Sequence, residues 1–163
     1  MHLGVVGDGP SIDACIKGGK FDVVETPFNL ASDWKARRRI RDASAANMIL
    51  VGYDLFPMHL LRTGGGGGGN PRKANPLLRS AANPLAGAGT YAFMQVTSNW
   101  TPEDICLAYA LTEPSFSTFH VEAFRIDAIA RICAAADKDL PTGVAAQIEM
   151  ARFSGEGAGK QRA

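Results

Sequence analysis

An apolar run, an Arg-rich run and a second apolar run follow one another between Phe21 and Pro57. The apolar runs read FDVVETPFNL and MILVGYDLFP, and the run between them, DWKARRRIRDASAAN, is typical of an amphipathic helix. Strand, helix and strand in this order predict a βαβ unit with two parallel strands. Parallel sheets bind ligands where their strands end. The first candidate site residues are therefore Glu25, Asn29, Tyr53 and Asp54.

Further strands and helices are predicted on both sides of this unit. His2–Gly7 is a short apolar run, and Ser11 is a suitable N-cap for the helix that follows it. Thr101 followed by Pro102 is a strong helix start ahead of the last strand, Phe116–Val121. The last helices are predicted over 125–136 and 144–152. The pattern thus predicts an α/β fold with four parallel strands, each followed by a helix.

The third strand, Met48–Phe56, is the most apolar of the four. Continuous apolar runs are typical of parallel strands that are buried on both faces. We therefore expect this strand to lie in the interior of the sheet, covered on both sides. The helix before it is predicted over Trp34 to about Ala46, with Ser32 or Asp33 as its N-cap.

Composition divides the chain into four segments of one domain. Residues 1–61 hold the first two βα units and the third strand, and 93–153 hold the remaining helix–strand–helix units. Segment 62–92 contains six consecutive glycines and three Asn-Pro dipeptides. These predict a long flexible loop, with a short helix near Leu77–Ala82. The tail, 154–163, is predicted to be disordered.

The formal net charge of +1 creates no global field that would attract nucleic acid or a membrane surface. We therefore expect neither kind of partner, and no run is long enough to span a membrane. One basic cluster stands out in the Arg-rich helix. We interpret it as a solvated face, with a phosphate or an acidic partner as the alternative. Its members are Lys35, Arg37, Arg38, Arg39 and Arg41.

The three cysteines, Cys15, Cys106 and Cys133, are far apart and have no CxxC spacing. This pattern argues against a disulfide framework and against a zinc site. Each cysteine falls among apolar residues of a predicted helix, so each is expected to be a small buried hydrophobe. Together these features predict a reduced, cytoplasmic protein.

Four segments in this order resemble the C-terminal half of an aldo/keto reductase, an eight-stranded (β/α) barrel that uses NADP(H). HLGVVG resembles the fifth strand of that family, FDVVETPFNL the sixth and MILVGYDLFP the seventh. The segment TPEDICLAYALTEPSFSTFHVEAFRIDAIARICAA resembles the region around the eighth strand. The resemblance implies a half (β/α)8 barrel of the TIM-barrel type, with a homodimer or a partner half-barrel closing it.

The same resemblance implies NADP(H) contacts at particular strand ends. Tyr53 matches the tyrosine that stacks on the nicotinamide ring, and Glu25 stands where the family usually has a glutamine that holds the carboxamide. The other cofactor-binding candidates that it implies are Asn29, Gly7 and Arg125.

The family's catalytic Asp, Tyr, Lys and His lie in the half of the barrel that this chain does not match. No catalytic residue is therefore carried over, which implies a protein that is inactive alone, a nucleotide-binding or vestigial homologue. The alternative is an NADP(H)-dependent oxidoreductase for carbonyl or alcohol substrates, completed by a partner chain or a second copy. Glu122 lies where the family has Gly-x-Arg, and its carboxylate is expected to repel the cofactor phosphates.

Acidic and histidine side chains suggest chemistry that does not depend on the resemblance. Three acids are predicted at the ends of neighbouring strands: Glu25, Asp54 and Glu122. They could form an acid–base pair or a divalent-ion site, and the alternative is that they are ordinary loop-facing acids. His120 and Glu122 lie two positions apart and are expected on one face of the last strand. His120 could be an acid–base partner of Glu122, or it could be a packed strand histidine. Tyr53 could stack a flat ring or place its hydroxyl in solvent. His59 has no predicted partner.

Overall fold

The computed structural model describes residues 2–57, 91 and 93–160, and all of their side chains except those of 95, 96 and 154–160. Its four strands form one parallel sheet in the order β1-β2-β3-β4. The α/β class and the four-stranded parallel sheet are thus confirmed. The glycine run, the helix predicted near Leu77–Ala82 and His59 lie outside the described residues.

The strands are shorter than the apolar runs that predicted them. They are β1 (Gly4–Val6), β2 (Val23–Pro27), β3 (Ile49–Tyr53) and β4 (Thr118–Phe119). The helices of the described residues are α1 (Gly9–Gly18), α2 (Trp34–Ala45), α3 (Phe93–Val96), α4 (Pro102–Leu111), α5 (Ile126–Ala136) and α6 (Thr142–Lys160).

Local signals explain where the helices begin. The α4 helix starts with a complete capping box: Oγ1 of Thr101 accepts from the Asp104 N–H at 3.1 Å, and a carboxylate oxygen of Asp104 accepts from the Thr101 N–H at 3.2 Å. In α2 the carboxylate of Asp33 accepts from the Ala36 N–H at 2.9 Å. Both predicted helix starts are confirmed.

The prediction that Ser11 caps α1 is wrong. The helix begins at Gly9, and its N-cap is Asp8, whose side chain makes no capping hydrogen bond. Pro10 explains the earlier start, because a proline in the first turn lacks an N–H that the helix would leave unpaired there. The helix ends at Gly18, and its C-cap, Gly19, adopts the left-handed conformation that glycine tolerates.

Helices cover one face of the sheet. Val24 and Leu50 are buried in a single hydrophobic cluster with side chains from α1, α2, α4, α5 and α6. Residues that alternate with them along the strands are half-buried or exposed, and Ile49 is 42% exposed. The expectation that β3 is buried on both faces is therefore wrong. Although its apolar run is continuous, alternate residues of β3 are buried and accessible, because helices pack on one face of the sheet only.

The prediction of a solvated basic face on α2 is confirmed for Lys35, Arg38 and Arg41, which are exposed, and is wrong for two other arginines. Arg39 is only 5% exposed, and its Nε donates to Oδ1 of Asp13 in α1 at 2.8 Å. The guanidinium of Arg37 lies 5.4 Å from the ring centroid of Phe28 and donates to the Tyr109 hydroxyl at 2.6 Å. Two arginines of this helix are thus part of the packing between elements.

The C-terminal helix and one cysteine also differ from expectation. The backbone of α6 stays helical to Lys160, past Arg152, where the pattern predicted its end and a disordered tail. Cys106 is buried as predicted and Cys15 is partly buried, but Cys133 is exposed. Among the described helices, none combines the length and the apolar character that crossing a membrane requires.

Candidate functional site

A cleft of about 570 Å³ lies at the carboxyl ends of the strands, on the face that the helices leave open. Ligands of parallel sheets bind at this end. Its wall contains three carboxylates, one histidine and one tyrosine among apolar side chains. The lining residues are Val6, Glu25, Tyr53, Asp54, Leu55, Phe56, His120, Val121 and Glu122.

The cleft contains a histidine–carboxylate pair. Nδ1 of His120 lies 3.2 Å from Oε1 of Glu25. The His120 side chain is 62% exposed and that of Glu25 is 24% exposed, so a ligand in the cleft can reach both. A histidine within hydrogen-bond distance of a carboxylate is an arrangement that can accept or donate a proton.

Tyr53 lies at the carboxyl end of β3 and lines the same cleft. Partial burial is the largest cause that raises the pKa of its hydroxyl, and the nearby carboxylates of Asp8, Glu25 and Asp54 raise the pKa further. Both effects disfavour the phenolate. Tyr53 therefore contributes a neutral hydroxyl and an aromatic ring to the lining of the cleft.

Asp54 supports the cleft wall in a strained backbone conformation. Its φ of 55° lies in the left-handed region, which is uncommon for residues other than glycine. Nδ2 of Asn29 donates to the Asp54 carbonyl at 2.9 Å, and Oδ1 of Asn29 accepts from the Ala31 N–H. Asn29 thus holds the chain that follows β3, and its side chain is not among those that line the cleft.

Two other predicted cofactor contacts also lie away from the cleft lining. The Gly7 N–H donates to the Glu25 carbonyl at 2.9 Å, so this residue continues the pairing of β1 with β2. Arg125 makes two hydrogen bonds to the carboxylate of Asp127, at 2.9 and 3.2 Å. These bonds lower the pKa of Asp127 and keep the guanidinium engaged outside the cleft.

The structure brings together the three carboxylates predicted to converge, since Glu25, Asp54 and Glu122 all line the cleft. Within the described part of the chain, no group of three or more His, Cys, Asp or Glu side chains is arranged to hold a metal ion. His120 pairs with Glu25 and not with Glu122, which follows it on the same strand face.

Sequence reasoning missed the pair of His120 and Glu25 because the two residues come from strands that are not neighbours. Glu25 pairs with Val51 and Val51 with Thr118, so Glu25 and Thr118 share one row across the sheet. His120 follows two positions later on the same face. Both residues are visible in the sequence, but their proximity can be predicted only when the register of the strands is known.

The fold and the cleft define an α/β protein with a candidate ligand site at the carboxyl ends of a four-stranded parallel sheet. No protein-family model and no curated protein sequence matches the chain.

Proposed function

We propose that the chain is one half of a (β/α)8 barrel of the aldo/keto reductase type, which binds a ligand in the cleft and does not reduce carbonyl compounds alone. The observation that supports this is the sheet: parallel strands in sequence order, helices on one face, and a cleft at the carboxyl ends. Each half of a (β/α)8 barrel has this arrangement, with its open face turned toward the barrel interior.

The cleft offers polar groups for binding a ligand, and its tyrosine is a weak proton donor. Reduction of a carbonyl by a nicotinamide needs a proton donor beside the carbonyl oxygen. Burial and neighbouring carboxylates raise the pKa of the Tyr53 hydroxyl, which makes this tyrosine a poor donor. The exposed pair of His120 and Glu25 can exchange a proton and can also form hydrogen bonds to a polar ligand. We expect no reduction by the chain alone because it matches none of the catalytic Asp, Tyr, Lys and His of the aldo/keto reductases.

An assay of the purified chain with NADPH and a panel of aldehydes and ketones tests this proposal. The expected result is oxidation of NADPH at the background rate for every substrate. Turnover above background that disappears in Tyr53→Phe or in His120→Ala would overturn it. Wild-type protein that has been heat-denatured serves as the blank.

A second candidate is an NADP(H)-dependent oxidoreductase completed by a second copy of the chain. The position of Tyr53 favours it, because an aromatic ring at the end of a central strand can stack on a nicotinamide. In this case Glu122 faces the phosphate side of the cofactor, and its charge opposes binding.

A fluorescence titration with NADPH separates the two candidates. Quenching with a micromolar midpoint that Tyr53→Ala abolishes supports the oxidoreductase, and no quenching at millimolar NADPH excludes it. Glu122→Gln is expected to tighten binding by removing a repulsive charge. Weaker binding in that variant would show that Glu122 does not face the phosphates.

A second copy is the partner that we propose for the open face. In the described sheet, β1 and β4 each pair with one neighbour and leave their other edge free. Val6 of β1 lies on the open face and is 63% exposed. Pairing β4 of one copy with β1 of the other, twice around a two-fold axis, would close eight strands and cover this face.

Light scattering at micromolar concentration tests this closure. The expected mass is twice the 17.3 kDa of one chain. Val6→Asp is expected to yield monomers, whereas Trp34→Asp, which replaces an exposed apolar residue on α2, is expected to leave the dimer intact. A monomeric wild-type chain would exclude the closed barrel.

A further inference from the structure

A groove between α1 and α2 is lined mostly by charged side chains, and it shares no lining residue with the cleft at the strand ends. Its volume is about 300 Å³, and we call it the α1–α2 groove. Four basic side chains line it, together with two carboxylates. The basic residues are Lys17, Lys35, Arg38 and Arg39, and the acidic residues are Asp13 and Asp42.

Both carboxylates of the groove are already engaged by arginines. Asp13 accepts from Nε of Arg39 at 2.8 Å, and Asp42 lies 3.5 Å from Nε of Arg38. Lys17 makes no ion pair with any of the described residues. The ammonium of Lys35 likewise has no carboxylate within ion-pair distance in the described part of the chain, and it lies 5.8 Å from the centroid of the Trp34 ring. The groove therefore has an excess of two positive charges.

An ion pair between helices and an exposed aromatic ring form part of the groove lining. Arg39 is buried, and its ion pair with Asp13 joins α1 and α2. Trp34 also lines the groove, and 55% of it remains exposed although it is a large aromatic residue. Aromatic rings stack on planar ligands, and ammonium groups bind phosphate as point charges.

A neighbouring cavity of about 370 Å³ shares Gly9, Lys35 and Arg39 with the groove. It also contains the carboxylates of Asp8 and Asp33, which disfavour an anion there. The phosphate end of a ligand is therefore placed toward Lys17 and Arg38, which line the groove and not this cavity, with Lys35 at the boundary between the two.

We propose that the α1–α2 groove is a binding site for a nucleoside phosphate. The phosphates lie between Lys17, Lys35 and Arg38, and the planar base packs on the exposed ring of Trp34. This site is on the helix side of the sheet and is separate from the cleft at the strand ends. Its occupancy does not depend on whether the cleft binds NADP(H).

Calorimetric titration of the full chain with ADP tests the proposal. The expected result is binding that weakens when salt is raised, because exposed charges are screened. In Lys17→Ala/Lys35→Ala the affinity is expected to fall about tenfold, since each exposed charge contributes modestly. Lys20→Ala removes one charge next to α1 but outside the groove, and it is expected to leave the affinity unchanged.

Three further measurements test whether ADP binds in the groove or in the cleft, and whether Trp34 contributes to binding. Tyr53→Ala is expected to leave ADP binding intact, and loss of binding in that variant would place ADP in the cleft and overturn the proposal. Trp34→Ala is expected to weaken ADP binding. Inorganic phosphate that binds as tightly as ADP would overturn the role of Trp34, and an absence of ADP binding at millimolar concentration would overturn the site.

Discussion

Nδ1 of His120 lies 3.2 Å from Oε1 of Glu25, across the intervening strand β3. This contact joins the end of β4 to β2, although the two strands share no backbone hydrogen bond. It also places an exposed imidazole beside a carboxylate in the wall of the cleft. Its strength determines whether the pair mainly supports the sheet or remains free for a ligand.

We predict that the pair contributes little to stability. In a double-mutant cycle with Glu25→Gln and His120→Asn, the coupling free energy of unfolding is expected to stay below about 1 kcal/mol, because the histidine is mostly exposed. Urea denaturation of the four proteins at neutral pH measures it. A coupling of about 2 kcal/mol or more would mean that the pair is a structural clamp, and the cleft would then lose its most accessible polar group.

The ion pair of Arg39 and Asp13 is predicted to matter much more than its neighbour on the same helix. Asp13→Ala leaves a nearly buried guanidinium without its partner and is expected to lower the free energy of unfolding by about 1–3 kcal/mol. Asp42→Ala removes the partner of the exposed Arg38 and is expected to change it by less than about 1 kcal/mol. Equal effects in urea denaturation would contradict the burial of Arg39.

Gly52 in β3 has no room for a side chain. A Cβ atom there would lie 2.3 Å from two ring carbons of Phe119. Gly52→Ala is therefore expected to destabilise the protein by about 1–3 kcal/mol through overpacking. Gly143 in α6 is the matched control, because no atom lies within 4 Å of its added Cβ. Gly143→Ala is expected to be neutral or slightly stabilising, and thermal unfolding compares the two variants.

Alkaline pH is predicted to weaken the fold through Cys106. Burial, together with the nearby carboxylate of Glu103, raises the pKa of this thiol to about 12. In the unfolded chain the thiol loses its proton near its ordinary pKa. The contribution of Cys106 to the free energy of unfolding is therefore fully present below that pH. Above pH 9 it is expected to fall as pH rises, by up to about 1.4 kcal/mol per unit.

The variant Cys106→Ala isolates this effect. It removes the titrating group, so the slope of stability against pH between about 9 and 10 is expected to flatten. Urea denaturation at a series of pH values measures both proteins. Identical slopes would show that Cys106 does not titrate as a buried thiol. Alkylation offers a second readout, since exposed Cys133 should react in the folded protein and Cys106 only after unfolding.

Local chemistry explains the parts of the fold that sequence reasoning predicted well. Thr101 and Asp33 are recognisable caps because each satisfies free N–H groups within its own helix turn. The parallel order follows from alternating strands and helices. None of these features requires knowledge of a distant contact.

Features that depend on distant contacts were not predictable in the same way. The Arg-rich helix reads as a polar face, yet Arg37 meets Phe28 and Arg39 meets Asp13 once the elements pack. Whether an arginine is solvated depends on which neighbour its long side chain reaches. The predicted contact Asn29 illustrates the same point, because its amide supports the Asp54 backbone from behind the cleft.

The pairing of each strand with its neighbour in the chain has a consequence for how the protein forms. Gly4 pairs with Val23 and Val23 with Ile49, whereas the last pairing joins Val51 to Thr118, a far more distant residue. Closing short loops costs less chain entropy than closing long ones, so β1, β2 and β3 can assemble while the ribosome is still adding later residues. Docking of β4 must close the long connection between Val51 and Thr118, which makes it the expected slow step of folding.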